Sequence, residues 1–203
     1  KVPTGTCLIL ITPDAERTMC TFLGIAGKIS AQDIDVDSIK NSEILFLEGY
    51  LWDKGQPKEA FSKAIENSKR TAMSLSDIFC VQRHKKDFLN LVKNKLDIVF
   101  ANEQEMQALV DEKELTKIIN FSRSLKKIVV ITRGKDGSIV INNDEVVECQ
   151  SVKNLDVKDL TGAGDLFAAG FLHGLVNKLS LKESLNKGTE LSSKVIQILG
   201  ARL

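Results

Sequence analysis

Short apolar runs alternate with helical segments along most of the chain, and this alternation limits the folds that the chain can adopt. Residues 43–48, 71–75, 97–101 and 127–132 are runs typical of buried strands, and helix-forming segments lie between them. Because parallel strands are joined by crossover helices, this order predicts a mainly parallel sheet with helices on both faces. The helical segments are residues 33–40, 57–69, 84–94, 103–110 and 114–124.

A separate pair of apolar runs precedes this alternation. Residues 7–12 and 17–22 lie on either side of the turn-forming stretch Pro13-Asp14-Ala15-Glu16, a pattern that predicts a β-hairpin. We therefore expect two parts, a hairpin region over residues 1–24 and an α/β core over residues 25–203.

The composition excludes several classes of protein. The chain of 203 residues is 43% hydrophobic, enough for one sizeable core, and its 28 basic and 27 acidic residues give a net charge of +1. No basic run points to nucleic acid, and no apolar run approaches membrane-spanning length. The four cysteines lack CxxC spacing, which favours reduced thiols in the cytoplasm over a disulfide framework or a zinc site. The first residues lack the apolar region of a signal peptide.

The stretch from Asp159 to Gly170 (Asp-Leu-Thr-Gly-Ala-Gly-Asp-Leu-Phe-Ala-Ala-Gly) joins a glycine-bearing turn to an apolar helix. The helix has apolar residues on most sides, so we expect it to be deeply buried. Gly162 and Gly164 let backbone N–H groups approach a ligand, and a helix N-terminus attracts anions, phosphate above all. Asp165 is either a general base for a hydroxyl that attacks a phosphoryl group, or a carboxylate that complements the helix dipole. The residues alone do not decide between these interpretations.

Two polar side chains directly follow the predicted strand at residues 97–101. Asn102 and Glu105 are three positions apart, so on a helix they share a face. An amide and a carboxylate there could hold the water shell of Mg²⁺, which prefers oxygen ligands and keeps several waters. The spacing alone favours a simpler interpretation, an N-capping Asn with acidic residues that complement the helix dipole.

The segment Thr132-Arg133-Gly134-Lys135-Asp136-Gly137 ends one predicted strand and precedes the next, at residues 138–141. As a bare pattern it is a strand-to-strand turn, with Asp-Gly a common turn pair. Residues 138–141 and 145–149 predict a hairpin at the end of the sheet, and residues 181–199 a last helix.

The pattern at residues 159–171, Asp-Leu-Thr-Gly-Ala-Gly-Asp-Leu-Phe-Ala-Ala-Gly-Phe, resembles the C-terminal signature of the PfkB carbohydrate kinases, the ribokinase and adenosine kinase family. The resemblance runs from about Thr4 to Arg202. It implies a three-layer αβα ribokinase-like fold with a mainly parallel central sheet and a small β lid, of which residues 1–24 would be part. In the family the lid closes over the sugar, which excludes water that would otherwise take the phosphoryl group.

The resemblance also implies a role for each matching residue. Asp165 would be the catalytic base, and the amides of Gly162, Ala163 and Gly164 would form the anion hole for the transferred phosphate. Thr132, Gly134 and Gly137 would hold ATP. Asn102 and Glu105 would also contact ATP and, through water, Mg²⁺. Asp159 would help to hold a monovalent cation, usually K⁺.

Residues 4–19 and the stretch Glu48-Gly49-Tyr50-Leu51-Trp52-Asp53 resemble bacterial adenosine-kinase-like members. We therefore expect an ATP-dependent kinase acting on a hydroxyl of a nucleoside or sugar, with adenosine preferred. A ribokinase- or fructokinase-like sugar kinase and a non-catalytic nucleoside- or sugar-binding protein of the same fold are the alternatives. A Rossmann oxidoreductase is disfavoured, because the glycine turn comes late and follows a hairpin rather than opening a βαβ unit.

Family members are typically longer, so we expect the N-terminal part of the family pattern, with most sugar-binding residues, to lie outside this chain. The partner is expected to be a small molecule, with neither nucleic acid nor a membrane involved. The exposed edge of a lid also favours pairing between subunits, which predicts a homodimer.

Overall fold

The computed structural model describes residues 1–52 and 56–203, so Asp53 of the adenosine-kinase-like stretch lies outside the described residues. The chain divides into two compact units. The first contains residues 1–24, 132–140 and 147–203, and the second contains residues 25–131 and 141–146.

A two-stranded antiparallel hairpin begins the first unit. Strand β1 (Thr4–Ile11) pairs with β2 (Arg17–Gly24), with Thr4 opposite Gly24 and Ile11 opposite Arg17. The predicted hairpin is therefore confirmed, although β1 begins three residues earlier and ends one residue earlier than predicted, and β2 ends two residues later. Its side chains are largely exposed, but Ala15 in the turn is only 4% exposed.

The remaining strands form one six-stranded sheet. They are β3 (Leu45–Glu48), β4 (Thr71–Ser74), β5 (Ile98–Asn102), β6 (Ile128–Thr132), β7 (Ser138–Asn142) and β8 (Glu145–Cys149). Their order in the sheet is β3-β4-β5-β6-β7-β8. Strands β3, β4 and β5 run parallel, with Leu45 opposite Thr71 and Ala72 opposite Ile98. The predicted α/β fold with a central sheet and flanking helices is thus confirmed.

Five helices belong to the second unit: α1 (Val36–Asn41), α2 (Gln56–Asn67), α3 (Ile78–Asn94), α4 (Glu103–Val110) and α5 (Leu115–Ser124). Its core includes Met73 on β4 and Val99 on β5, both fully buried. Helix α3 starts six residues before the predicted start at His84, because the Asp77 carboxylate accepts from the Cys80 amide at 2.6 Å and caps an earlier turn. His84 itself has non-helical backbone angles, so the predicted start coincides with a kink.

Helices α6 (Ala163–Val176) and α7 (Leu181–Val195) complete the first unit and pack closely through glycines. A Cβ atom at Gly170 would lie 2.6 Å from the Lys187 carbonyl oxygen, and one at Gly188 would lie 2.7 Å from the Phe167 carbonyl oxygen. Helix α6 is less buried than its composition predicts, since Val176 is 49% exposed. Only the face that packs inward is shielded from solvent.

The four cysteines are free thiols, with Cys7 and Cys20 exposed and Cys80 and Cys149 buried. Across the described part of the chain, the helices are all too short or too polar to cross a membrane.

Candidate active site

The turn that opens α6 depends on a glycine. Gly162 precedes the helix in a left-handed conformation, with φ of +79°, which a residue with a side chain rarely adopts. The first intrahelical bond runs from the Leu166 amide to the Gly162 carbonyl at 2.9 Å, and the Ala163 amide donates to the Leu160 carbonyl at 3.2 Å. No side chain caps this helix. Its N-terminal amides are therefore not bonded by a capping carboxylate or hydroxyl.

Gly164 and Asp165 follow within the first helical turn, and both are exposed. A Cβ atom at Gly164 would meet no neighbour within 4 Å, so packing inside the protein does not require a glycine there. Close approach by a ligand would require one, since the backbone is then the surface that the ligand meets. Asp165 presents its carboxylate beside that surface from the first turn of α6.

A cleft of about 620 Å³ lies within the first unit. It brings Thr132, Gly134 and Gly137 together with Ala163 and Gly164, so five of the predicted site residues line the same space. Sequence separation alone could not show that these two turns meet.

The turn between β6 and β7 is tightly built. The Arg133 amide donates to the Gly137 carbonyl at 2.8 Å. Gly137 has φ of +87°, and a Cβ atom there would lie 2.1 Å from the Cys149 carbonyl oxygen. Gly137 is therefore required by the fold of the turn, in addition to any role towards a ligand.

Basic and hydroxyl side chains also line the cleft. The Ser151 hydroxyl donates to the Lys135 carbonyl at 2.6 Å, and the Lys153 ammonium donates to the Ser151 hydroxyl at 3.2 Å. Lys135, Ser151 and Lys153 all contribute to the wall. Positive charge at this place suits an anionic ligand.

Much of the remaining wall is apolar, and the sequence reasoning missed it. The wall residues are Val152, Leu155, Val157, Leu160, Phe167 and Ile196. Val152 and Val157 are 46% and 42% exposed, on the loop after β8. The only signal in the sequence was the placement of Val152, Leu155 and Val157 among the polar residues of this loop, and isolated apolar residues are common on protein surfaces.

Asp159 lies outside that wall and is almost fully buried, with 1% exposure. Its Oδ1 accepts from the Thr161 amide at 2.8 Å and its Oδ2 accepts from the Gly200 amide at 2.9 Å. Burial by itself would raise the pKa of Asp159, but Thr161 and the Gly200 amide outweigh it and hold the pKa below its usual range. The carboxylate is therefore charged at neutral pH.

Asn102 and Glu105 meet in the second unit, at the carboxyl end of β5, where they form a reciprocal capping box. Glu105 Oε2 accepts from the Asn102 backbone amide at 3.0 Å, and Asn102 Oδ1 accepts from the Glu105 amide at 2.8 Å. These two bonds cap the start of α4, as the simpler interpretation predicts.

The same pair offers oxygen atoms that could interact with the water shell of Mg²⁺. Burial raises the pKa of Glu105 to about 7; the bond from the Asn102 amide works against this rise, and the charge of Asp77 adds to it. Both Glu105 oxygens already accept from Asn102, whose own side chain is exposed. Oxygen atoms that already accept hydrogen bonds are better suited to contact Mg²⁺ through its bound waters than to bind the ion directly. Among the described residues, no group of three or more His, Cys, Asp or Glu side chains could hold a metal ion.

Comparison with known proteins identifies the family. The sequence profile of the pfkB family carbohydrate kinases matches residues 1–203. The chain belongs to the pfkB family. The expected ribokinase-like fold is confirmed by the crystal structure of adenosine kinase from Sinorhizobium meliloti, which is 36% identical with a TM-score of 0.96 over 99% of this chain.

Two further relatives of this pfkB-family chain differ in the substrate that their names give. A probable sugar kinase from Rhizobium etli is 34% identical over 98% of the chain, with a TM-score of 0.95. An adenosine kinase from Dictyostelium discoideum is 28% identical over 99% of the chain. The chain spans 63% of the S. meliloti protein, 62% of the R. etli protein and 64% of the D. discoideum protein.

Proposed function

We propose that the full-length protein is an ATP-dependent kinase that transfers the γ-phosphoryl group to a hydroxyl of a nucleoside or sugar. The observation that carries this proposal is the cleft that Gly164, at the start of α6, shares with Thr132 and Gly134. Glycines at a helix N-terminus and basic side chains favour phosphate, and apolar walls favour a nucleobase. Membership of the pfkB family supports the same reaction.

The proposed chemistry uses three parts of the first unit. Thr132, Gly134 and Gly137 hold the ATP phosphates, and the amides of Gly162, Ala163 and Gly164 stabilise charge on the phosphoryl group in transit. The Ala163 amide exchanges its 3.2 Å bond to the Leu160 carbonyl for a phosphoryl oxygen. Asp165 accepts the proton of the attacking hydroxyl. These residues position both reactants, stabilise charge on the phosphoryl group and deprotonate the acceptor hydroxyl. Positioning and charge stabilisation are most of what phosphoryl transfer requires from a protein.

Two cations belong to the proposal. Mg²⁺, when bound, would neutralise phosphate charge, and Asn102 and Glu105 would contact its water shell. Asp159 is the proposed side chain near a K⁺ ion.

Adenosine is the proposed acceptor. The support is the 36% identity to the S. meliloti adenosine kinase, together with the adenosine-kinase-like stretches at residues 4–19 and 48–53. A sugar acceptor is the second candidate, because the R. etli protein of nearly equal similarity is described as a sugar kinase. A non-catalytic binding protein is disfavoured by the presence of Asp165, which binding alone does not need.

The hairpin and the cellular context complete the proposal. Residues 1–24 form part of a lid that covers the acceptor. Two subunits pair through the exposed strands of this lid and form a homodimer. Leu8, Leu10 and Phe22 are each more than half exposed, which supports a covering partner for the hairpin. The four free thiols support the cytoplasm as the compartment.

A phosphorylation screen of the full-length protein tests the proposal. Adenosine, ribose and fructose are each incubated with ATP and Mg²⁺, and the phosphorylated product is measured by mass spectrometry. We expect adenosine monophosphate as the main product. A larger yield from ribose or fructose would show that the acceptor is a sugar, the second candidate. If ATP binds but no acceptor is phosphorylated, a non-catalytic binding protein is favoured.

A further inference from the structure

The wall that α7 contributes to the cleft carries hydroxyl groups. Thr189, Ser192 and Ser193 all line the cleft, and their spacing places them on one face of the helix. The turn at residues 132–137 and the start of α6 line other parts of the same cleft and suit phosphate. The hydroxyl wall and the apolar side chains of the loop after β8 therefore remain for the nucleobase.

The backbone carbonyls at the end of α7 are already engaged. The Ser192 carbonyl accepts from the Ile196 amide at 3.3 Å, and the Ser193 carbonyl accepts from Gln197 Nε2 at 2.9 Å. The Ile196 carbonyl accepts from the Lys158 amide at 2.8 Å. A base that lies against this wall therefore meets side-chain hydroxyls as its hydrogen-bonding groups.

The three hydroxyls differ in their freedom. The Ser193 hydroxyl donates to the Glu190 carbonyl at 2.8 Å, so its proton is held by the helix backbone. Thr189 Oγ1 lies 3.4 Å from Cys149 Sγ, and either atom could donate. Within the described part of the chain, the side chain of Ser192 makes no hydrogen bond. The Ser192 hydroxyl is therefore the group on this wall whose proton can turn towards or away from a ligand.

A rotating hydroxyl does not distinguish an amino group from a carbonyl group. Adenine carries a 6-amino donor where guanine carries a 6-oxo acceptor. A hydroxyl can accept from the first or donate to the second, since it has one proton and two lone pairs. A site with a fixed hydrogen-bonding partner can instead discriminate by about 10⁴–10⁵-fold.

We propose that the cleft accepts 6-amino and 6-oxo purine nucleotides alike, with the Ser192 hydroxyl reversing its hydrogen bond between them, so that GTP serves as a phosphoryl donor beside ATP. The inference rests on the proposed kinase function and widens its donor class. In the reaction with GTP, the acceptor oxygen forms a bond to the γ-phosphorus and the bond to the β,γ-bridging oxygen breaks. The acceptor proton passes to Asp165, and GDP leaves.

Nucleotide binding by the full-length protein is the first test, and it requires no turnover. Calorimetric titration with ADP and with GDP, each with Mg²⁺, gives the two dissociation constants. We expect them to agree within about tenfold, well below the discrimination of a fixed partner. With the best acceptor from the phosphorylation screen, kcat/KM for GTP should likewise lie within about tenfold of that for ATP.

A variant of Ser192 tests the hydrogen bond itself. Ser192→Ala should weaken ADP and GDP by the same factor, about two- to tenfold, because one hydroxyl serves both bases. Alanine favours a helix, so the variant should fold normally. The matched control is Ser124→Ala, which removes an exposed hydroxyl that donates to the Phe121 carbonyl at 2.6 Å and does not line the cleft. This control should bind both nucleotides as the wild type does.

Four results would decide the matter. ADP binding that is more than about tenfold tighter than GDP binding would overturn the shared site. Weakening of only one nucleotide by Ser192→Ala would show a fixed hydrogen bond and overturn the reversal, and no weakening of either would remove Ser192 from the site. If ADP and GDP bind equally well but no acceptor is phosphorylated, the kinase proposal fails and the shared purine site stands.

Discussion

The backbone amide of Leu160 donates to the carbonyl of Ala15 at 3.3 Å, so the turn of the N-terminal hairpin rests against the loop that leads into α6. The hairpin strands are largely exposed, yet Ala15 is 4% exposed. The buried turn residue Ala15 therefore connects the hairpin to the loop that precedes the candidate anion hole.

Replacing Ala15 with Val should loosen this attachment. Ala15 has φ of +65°, where a β-branched side chain is strained, and its Cβ is buried. We expect the free energy of unfolding to fall by about 1–3 kcal/mol, measured by urea denaturation. Ala15→Gly is the control and should stay within about 1 kcal/mol of the wild type. Equal stability of the two variants would show that the turn does not constrain this position.

Replacing Asp165 with Asn should remove turnover while leaving the fold intact. A general base contributes about 10²–10⁴-fold in rate, so kcat should fall by that factor. ATP affinity, measured by calorimetry, should stay similar or rise slightly because a negative charge beside the phosphates is gone.

A matched variant separates this role from a helix-dipole effect. Asp37 is also an acidic residue in a first helical turn, that of α1. Loss of a dipole contact costs about 0.3–1 kcal/mol in either helix, so Asp37→Asn should lower stability slightly with normal kcat. If Asp165→Asn behaves in the same way, Asp165 has no part in the chemistry.

Deprotonation of Glu105 should lower the free energy of unfolding as the pH rises towards neutrality. Its pKa is about 7 in the folded protein and near the model-peptide value of 4.5 in the unfolded chain, so the folded state binds the proton more tightly. Stability is therefore highest below the unfolded pKa and decreases between about pH 4.5 and 7, by roughly 3 kcal/mol at most. Urea denaturation across this range should show the slope, and Glu105→Gln should remove it. A slope that persists in Glu105→Gln but disappears in Glu103→Gln would contradict the assignment.

Glycine-to-alanine substitutions in α6 should have opposite effects at two positions. A Cβ at Gly170 would lie 2.6 Å from the Lys187 backbone oxygen, whereas one at Gly164 would meet nothing within 4 Å. Gly170→Ala should therefore cost about 1–3 kcal/mol because α7 must move away. Gly164→Ala should raise stability by about 0.5–1 kcal/mol through its helix propensity, while weakening ATP binding if phosphate approaches that backbone. Thermal melting measures the stability of each variant, and calorimetry on the same samples measures ATP binding. A Gly164→Ala variant less stable than the wild type would contradict the open space around Gly164.

Local sequence patterns were sufficient for most of the secondary structure. The alternation of apolar runs located the strands, and the Asn102–Glu105 spacing located the start of α4, because both signals arise within a few residues. The start of α3 was missed because the apolar pattern after His84 is regular, whereas the true start depends on a cap at Asp77 followed by a kink. The burial of α6 was overestimated because hydrophobic composition does not show which face meets a neighbour.

The sequence by itself determined the fold class, the family and the turn chemistry of Gly162, since each depends on residues close together in the chain. The family resemblance already assigned the β6–β7 turn and the start of α6 to the same phosphates. The tertiary structure alone decided that Val152 and Val157 form part of the cleft wall, and that Asp159 bonds to Gly200. These contacts join residues far apart in sequence. Their formation depends on how helices and strands pack, and local periodicity and turn propensity carry no information about which distant surfaces meet.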